Sequence, residues 1–172
     1  MNLQDFIRIV PNFPKKGISF KDVTTLLKDP MAFQYTVQLL AEECRPLNID
    51  LVACPEARGF ALGAPLAYEL GAGVVLLRKP GKLPADVIQS KYALEYGEDA
   101  LEAHRDSISA GQRVLLVDDL LATGGTLAAA QRLVEQLGGE TVGAAFIIEL
   151  TELNGRAKLG NYDIISLIKY DI

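Results

Sequence analysis

Apolar residues recur along this chain in two periods, and the order of those periods predicts an architecture. Leu3, Phe6, Ile7 and Val10 fall at helical spacing and predict a helix over 3–10, stopped by Pro11. Residues 11–22 carry two prolines and a glycine and predict an irregular loop. Asp29 before Pro30 is an N-cap and first-turn pair. Phe33, Val37, Leu40, Ala41 and Cys44 then supply the apolar stripe of a helix ending near Pro46.

A strand–helix rhythm follows. Residues 49–54 read as a short apolar strand, 59–70 as a helix that Gly71 stops, and 74–77 as a second strand. Residues 78–100 are polar, with Gly81, Pro84 and Gly97, and predict a long connection of the kind that often serves as a lid. Residues 114–117 are wholly aliphatic, as expected of a strand buried on both faces. Leu127, Ala130, Leu133, Val134 and Leu137 mark a helix over 126–137, ended by Gly138 and Gly139. Residues 142–150 and 164–168 complete five strands. Apolar strands alternating with helices predict an α/β fold with a parallel-rich central sheet flanked by helices. No internal repeat or low-complexity linker interrupts it.

Composition narrows the class. A chain of 172 residues suits one domain over 1–172, and it should bury roughly 70% of its unfolded surface without staples. With 49% hydrophobic and 23% charged residues, disorder is excluded as the main state. Two cysteines and the single His104 argue against a disulfide scaffold and a structural zinc site, and the cysteine count fits a reducing compartment. No apolar run is long enough to span a membrane, and the first ten residues do not read as a signal peptide. A net charge of −5 disfavours nucleic acid as a partner. A site for an anion must therefore be a local concentration of positive charge.

The chemistry concentrates in VLLVDDLLATGGT, residues 114–126. A buried strand runs through Asp118 and Asp119 into Ala122, Thr123, Gly124, Gly125 and Thr126, and then into a helix. Glycines let the backbone approach a ligand closely, and the helix start offers free N–H groups with a positive dipole end. That equipment suits a phosphate monoester. The aspartates would repel phosphate, but they can accept hydrogen bonds from sugar hydroxyls or steer magnesium. No G-x-x-x-x-G-K-[ST] occurs, and Gly71-Ala72-Gly73 lacks the third glycine of a dinucleotide fingerprint. Arg58, just past the first strand, can grip pyrophosphate oxygens with its planar fork; its plain alternative is an ion pair with Glu56. Arg78, Lys79 and Lys82 place three cations within five residues, suited to a polyanionic leaving group. Phe20 can stack on a base, with Leu120 facing it from the other side.

Residues 114–126 resemble the signature of the type I phosphoribosyltransferases, which use 5-phosphoribosyl-1-pyrophosphate (PRPP). NFPKKGISFKDVT, PEARGF, RKPGKLP and LEYG stand around it in family order and spacing, so the resemblance runs from about Phe6 to Leu159. It is closest to members that use adenine. The resemblance implies transfer of the 5-phosphoribosyl group from PRPP to adenine, giving AMP and pyrophosphate with Mg2+, in a cytoplasmic homodimer serving purine salvage. It implies a pyrophosphate loop at Glu56, Ala57 and Arg58 with a cis Glu56–Ala57 peptide, although Cys54-Pro55 departs from the small glycine-containing pair expected there. Arg78 and Lys82, with Lys79 beside them, would line the pyrophosphate end. Residues 79–100 would be a mobile loop carrying Glu95 as proton carrier. Residues 1–30 would form a hood reading adenine through the backbone at Ser19 and Lys21. Glu95, Arg58, Asp118 and Asp119 would be the catalytic set, with magnesium held mainly by PRPP and water rather than by direct protein ligands. Two other readings stay open: a 6-oxopurine phosphoribosyltransferase, and a PRPP-sensing regulator without turnover.

Overall fold

The aliphatic runs form a sheet, and the computed structural model describes the chain over residues 1–94 and 96–171. Strands β1 (Arg8–Pro11) and β2 (Ser19–Asp22) form an antiparallel pair ahead of the short helix α1 (Thr24–Leu27). Helix α2 (Pro30–Cys44) starts at Asp29, whose carboxylate accepts from the Met31 and Ala32 N–H groups at 3.1 and 2.9 Å. Then come β3 (Leu51–Pro55), α3 (Arg58–Leu70) and β4 (Gly73–Leu77). The antiparallel pair β5 (Val87–Ala93) and β6 (Glu98–His104) follows. The chain closes with β7 (Arg113–Leu121), α4 (Gly125–Gln136), β8 (Glu140–Leu150) and β9 (Asp163–Tyr170).

The central sheet has five parallel strands in the order β4-β3-β7-β8-β9. Helices α2 and α3 cover one face, burying Leu40, Leu62 and Leu66 against Val52, Leu115 and Ile147. Helix α4 covers the other, burying Leu127, Leu133 and Val134 against Leu116, Ala144 and Phe146. With both faces covered, the middle stretches of the inner strands, 52–54, 114–117 and 142–148, are apolar, as a doubly covered parallel sheet requires, and the polar residues of β7 and β8 fall toward the strand ends.

Three expectations are corrected. Residues 3–10 do not make one helix: a 3-10 turn covers Leu3–Phe6, and the chain then extends into β1. The β-branched Ile9 and Val10 pair with Lys21 and Phe20 of a partner strand about ten residues away, and that pairing overrides a helical spacing only two turns long. Residues 11–22 are not irregular throughout, because Ser19–Asp22 is that partner. Residues 78–100 are not a loose connection, because most of the second half belongs to the β5–β6 hairpin. Its root is fixed to the body: Arg78 and Glu102 exchange backbone hydrogen bonds at 3.0 and 2.7 Å, and Arg132 of α4 donates to Ser90 Oγ at 3.0 Å.

Candidate active site

From β3 the sheet winds outward to β4, and from β7 it winds the other way to β8 and β9. Ligands of open α/β sheets bind where the winding reverses, outside the carboxyl ends of the strands. Here β3 delivers Pro55–Arg58 to that point, and β7 delivers the two aspartates and the loop into α4. A cavity of about 440 Å³ opens between them, lined by Pro55, Glu56, Ala57, Arg58, Lys79, Tyr92, Leu101, Asp118, Asp119 and Thr126.

The loop at one end of the cavity is built for close approach. Gly124 sits at φ +84°, and a Cβ there would lie 2.4 Å from the Gly155 carbonyl oxygen, so only glycine fits without moving backbone. The first intrahelical bond of α4 runs from Ala128 N–H to Gly124 C=O, which leaves the N–H groups of Gly125, Thr126 and Leu127 without helical acceptors. Gly125 is open: a Cβ there would meet nothing nearer than 3.9 Å. Ala122 is half-buried and Thr123 exposed beside them.

Asp119 is buried, and its Oδ2 lies 2.8 Å from Arg58 Nε. Asp118 Oδ1 accepts from the Asp119 N–H at 2.9 Å. Removal from bulk water, and then the neighbouring Asp119 charge, hold the Asp118 carboxyl well above the ordinary carboxylate range, against the pull of Arg58. A carboxyl raised in the folded state binds a proton there that the unfolded chain has already released. Stability from this group therefore falls as pH rises from near 4 through the raised value. Asp118→Asn is expected to raise Tm at pH 8 and leave it unchanged near pH 4, in thermal melts of the two proteins side by side. An equal shift at both pH values would show that the charge is not the cause.

At the opposite end, three cations converge on carboxylates. Lys82 Nζ donates to Glu56 Oε2 at 2.5 Å, and the Lys79 backbone N–H donates to Glu56 Oε1 at 2.7 Å. Arg78 Nε lies 3.4 Å from Glu56 Oε1 without the alignment of a hydrogen bond, so this buried N–H has no partner among the described residues. Lys79 Nζ pairs with Asp99 of β6. Hydrogen bonds from Lys82 and the Lys79 N–H, with the Lys82 and Arg78 charges, outweigh burial and hold Glu56 below the ordinary range. The expected Arg58–Glu56 alternative is not what forms: Arg58 pairs with Asp119, and Glu56 with Lys82 and Arg78. The Glu56–Ala57 peptide is cis, as expected.

The β1–β2 hairpin stands beside the β3 and β7 ends. The Arg58 guanidinium lies 5.6 Å from the centroid of the half-buried Phe20 ring, and Phe13 packs edge-on against Phe20 at 5.2 Å. Lys21 is buried; it donates to Ser19 Oγ at 2.8 Å and lies 4.9 Å over the Tyr170 ring. Since β2 pairs only with β1 among the described residues, its other edge presents backbone N–H and C=O groups, and Ser19 and Lys21, two residues apart, share an edge. Leu120 is half-buried and packs against the α2–α3 core, outside the cavity lining.

Residues 23–168 match the phosphoribosyl transferase domain family. The chain belongs to that family. This phosphoribosyltransferase chain is 60% identical over 172 residues to the adenine phosphoribosyltransferase of Clostridium tetani, covering 100% of both. The crystal structure of adenine phosphoribosyltransferase from Thermoanaerobacter pseudethanolicus superimposes with a TM-score of 0.95 at 57% identity over 98% of both chains. The Saccharomyces cerevisiae enzyme, solved with a bisphosphorylated imino-altritol and adenine, superimposes at 0.92 with 39% identity over 96% of both chains.

Sequence reasoning for this phosphoribosyltransferase missed the wall that the β5–β6 hairpin adds to the cavity. Tyr92 and Leu101 line it, and Asp99 and Glu102 hold the turn of cations, Glu102 accepting from the Gly81 N–H at 2.7 Å. The signal was present but weak: Val87, Ile88 and Tyr92 favour strand, and Gly97 turns the chain at φ +91°. Glu95, the expected proton carrier, lies outside the described residues.

Proposed function

We propose that this chain transfers the 5-phosphoribosyl group of PRPP to adenine, giving AMP and pyrophosphate, a purine-salvage reaction. The observation that carries the reading is the pair Asp118–Asp119 set between an N–H-rich glycine loop and a cluster of cations around one cavity. Those are the complements of a phosphate monoester, a sugar and a pyrophosphate, in the order PRPP carries them.

In this reading Ala122–Thr126 takes the 5′-phosphate through backbone N–H groups and the two threonine hydroxyls. Asp118 and Asp119 accept hydrogen bonds from the ribose hydroxyls. Arg58, Arg78, Lys79 and Lys82 take the pyrophosphate, and the buried Arg78 Nε–H, without a hydrogen-bond partner among the described residues, is a donor suited to one of its oxygens. The base nitrogen attacks C1 as the bond from C1 to pyrophosphate oxygen breaks, and the electron pair leaves on pyrophosphate. Positive charge on the ribosyl ring in the transition state faces the aspartates, where screening is weak. The proton released by the purine nitrogen goes to Glu95. Two carboxylates beside a polyphosphate suit a magnesium ion held mostly by substrate oxygens and water. Bound magnesium would supply charge neutralisation on the pyrophosphate.

Phe20 and Leu120 bracket the base, and backbone groups at Ser19 and Lys21 read its edge. Adenine presents a 6-amino donor beside an N1 acceptor and hypoxanthine reverses both, so a fixed carbonyl and amide leave unpaired groups against the wrong base. Residues 1–172 work as one domain, with residues 1–30 as hood and 79–100 closing over the bound substrates. Val74 and Leu76, exposed on the outer strand β4, are apolar surface that pairing two copies in the cytoplasm would bury. Sedimentation at twice the 18.6 kDa chain mass, and PRPP-dependent protection of 79–100 from hydrogen exchange, are expected; a monomer or unchanged exchange refutes the respective part.

Steady-state kinetics with adenine, hypoxanthine and guanine, with and without magnesium, test the main reading. Turnover is expected to need PRPP and magnesium and to favour adenine. A higher kcat/KM for hypoxanthine or guanine would reassign the base, and binding of PRPP without turnover would make the chain a sensor.

A further inference from the structure

Behind the glycine loop lies an ion pair that no step of the reaction uses, between a buried glutamate and a half-exposed arginine. Glu149, at the carboxyl end of β8, is only 5% exposed. Arg156 grips it with two prongs: Nε donates to Oε1 at 2.6 Å and Nη2 to Oε2 at 2.7 Å. Ser166 of β9 donates to the same Oε2 at 2.6 Å. None of the three lines the 440 Å³ cavity.

What they hold is the 3-10 turn Gly155–Lys158. Its first residue, Gly155, is buried directly against the glycine loop. A Cβ on Gly155 would lie 2.3 Å from the Ala122 carbonyl oxygen, and a Cβ on Gly124 would lie 2.4 Å from the Gly155 carbonyl oxygen. The two backbones therefore touch at Ala122 and at Gly124, with no side chain between them. A shift of the turn must be passed to the loop, since close-packed backbone has no slack to absorb it.

Stability alone is a poor account of such a pair. An ion pair whose arginine is 40% exposed gains little stability from its charges, whereas the planar two-pronged geometry fixes position. We propose that Glu149 and Arg156 are positioning residues, which press the Gly155 turn against Ala122–Gly124 and so set the loop's affinity for a phosphate monoester. The inference rests on the reading of Ala122–Thr126 as the 5′-phosphate cradle.

The test is calorimetric titration of ribose 5-phosphate and, separately, of magnesium pyrophosphate, with thermal melts alongside. Arg156→Met is expected to weaken ribose 5-phosphate by at least tenfold, about 1.4 kcal/mol, with pyrophosphate affinity near wild type. Arg156→Lys, which keeps the charge and loses the fork, should fall between. If Arg156→Met leaves Glu149 charged, unpaired and the protein unfolded, the double variant Glu149→Leu/Arg156→Met removes both charges and should show the same split. Gly155→Ala should reproduce it from the other side by pushing the loop. A lowered Tm with both ligands weakened equally, or with neither weakened, would overturn the proposal and leave the pair as scaffold. Gly125→Val separates the two levels. If it weakens ribose 5-phosphate while the Arg156 variants do not, the positioning role fails and the cradle stands. If it does not, cradle and positioning role fall together.

Discussion

Gly124→Ala is expected to cut kcat/KM for PRPP by about a hundredfold, roughly 2.7 kcal/mol in the barrier. Two costs coincide at this position. A left-handed backbone at φ +84° costs a non-glycine residue roughly 1–2 kcal/mol by itself. The added methyl would also fall 2.4 Å from the Gly155 carbonyl oxygen, against backbone that cannot swing aside. The loop must then rebuild, and the N–H groups of Gly125 and Thr126 lose the directions they share. The companion variant Gly125→Val separates strain from occupancy. Space for the first added carbon exists there, with nearest atoms at 3.9 Å, so Tm should hold while PRPP affinity falls. Melts, circular dichroism and PRPP titration of both variants decide it. Normal PRPP affinity in Gly125→Val would refute the cradle, and full activity in Gly124→Ala would show that the loop tolerates a shifted path.

Asp119→Asn should cost at least tenfold in kcat/KM, about 1.4 kcal/mol, with little change in folding because the side chain keeps its size. The buried carboxylate holds Arg58 at 2.8 Å, so the amide loosens Arg58 and removes a charged acceptor for a ribose hydroxyl. A second readout follows from the neighbouring acid. Asp118 is raised by burial and then by the Asp119 charge. Removing that charge lowers the Asp118 pKa, so any acid limb of kcat/KM governed by Asp118 should move to lower pH. Unchanged kcat/KM would remove Asp119 from the reacting set, and an acid limb that stays in place or moves up would break the coupling.

The loop where both variants lie was legible because its requirements are local. A strand, two acids, glycines and a helix start are consecutive residues, and the need for a free N–H row and a close approach is written at those positions. The partners were not legible. Arg58 was weighed against Glu56, its neighbour in sequence, yet it meets Asp119, while Glu56 gathers Lys82 and Arg78 from the end of another strand. Tyr92 and Leu101 were hidden for the same reason, since hairpin pairing over 87–104 decides which residues face the cavity.

By itself, the sequence determined the five strands, the helices that cover them, the acidic pair and the glycine loop, because burial period and backbone demand act over a few residues. Only the tertiary structure decided that β3 and β7 lie side by side with their ends forming one crevice, that residues 8–11 extend to meet 19–22, and that Gly155 backs the loop. Those contacts join separate segments of the chain, and no local pattern carries the free energy that selects them.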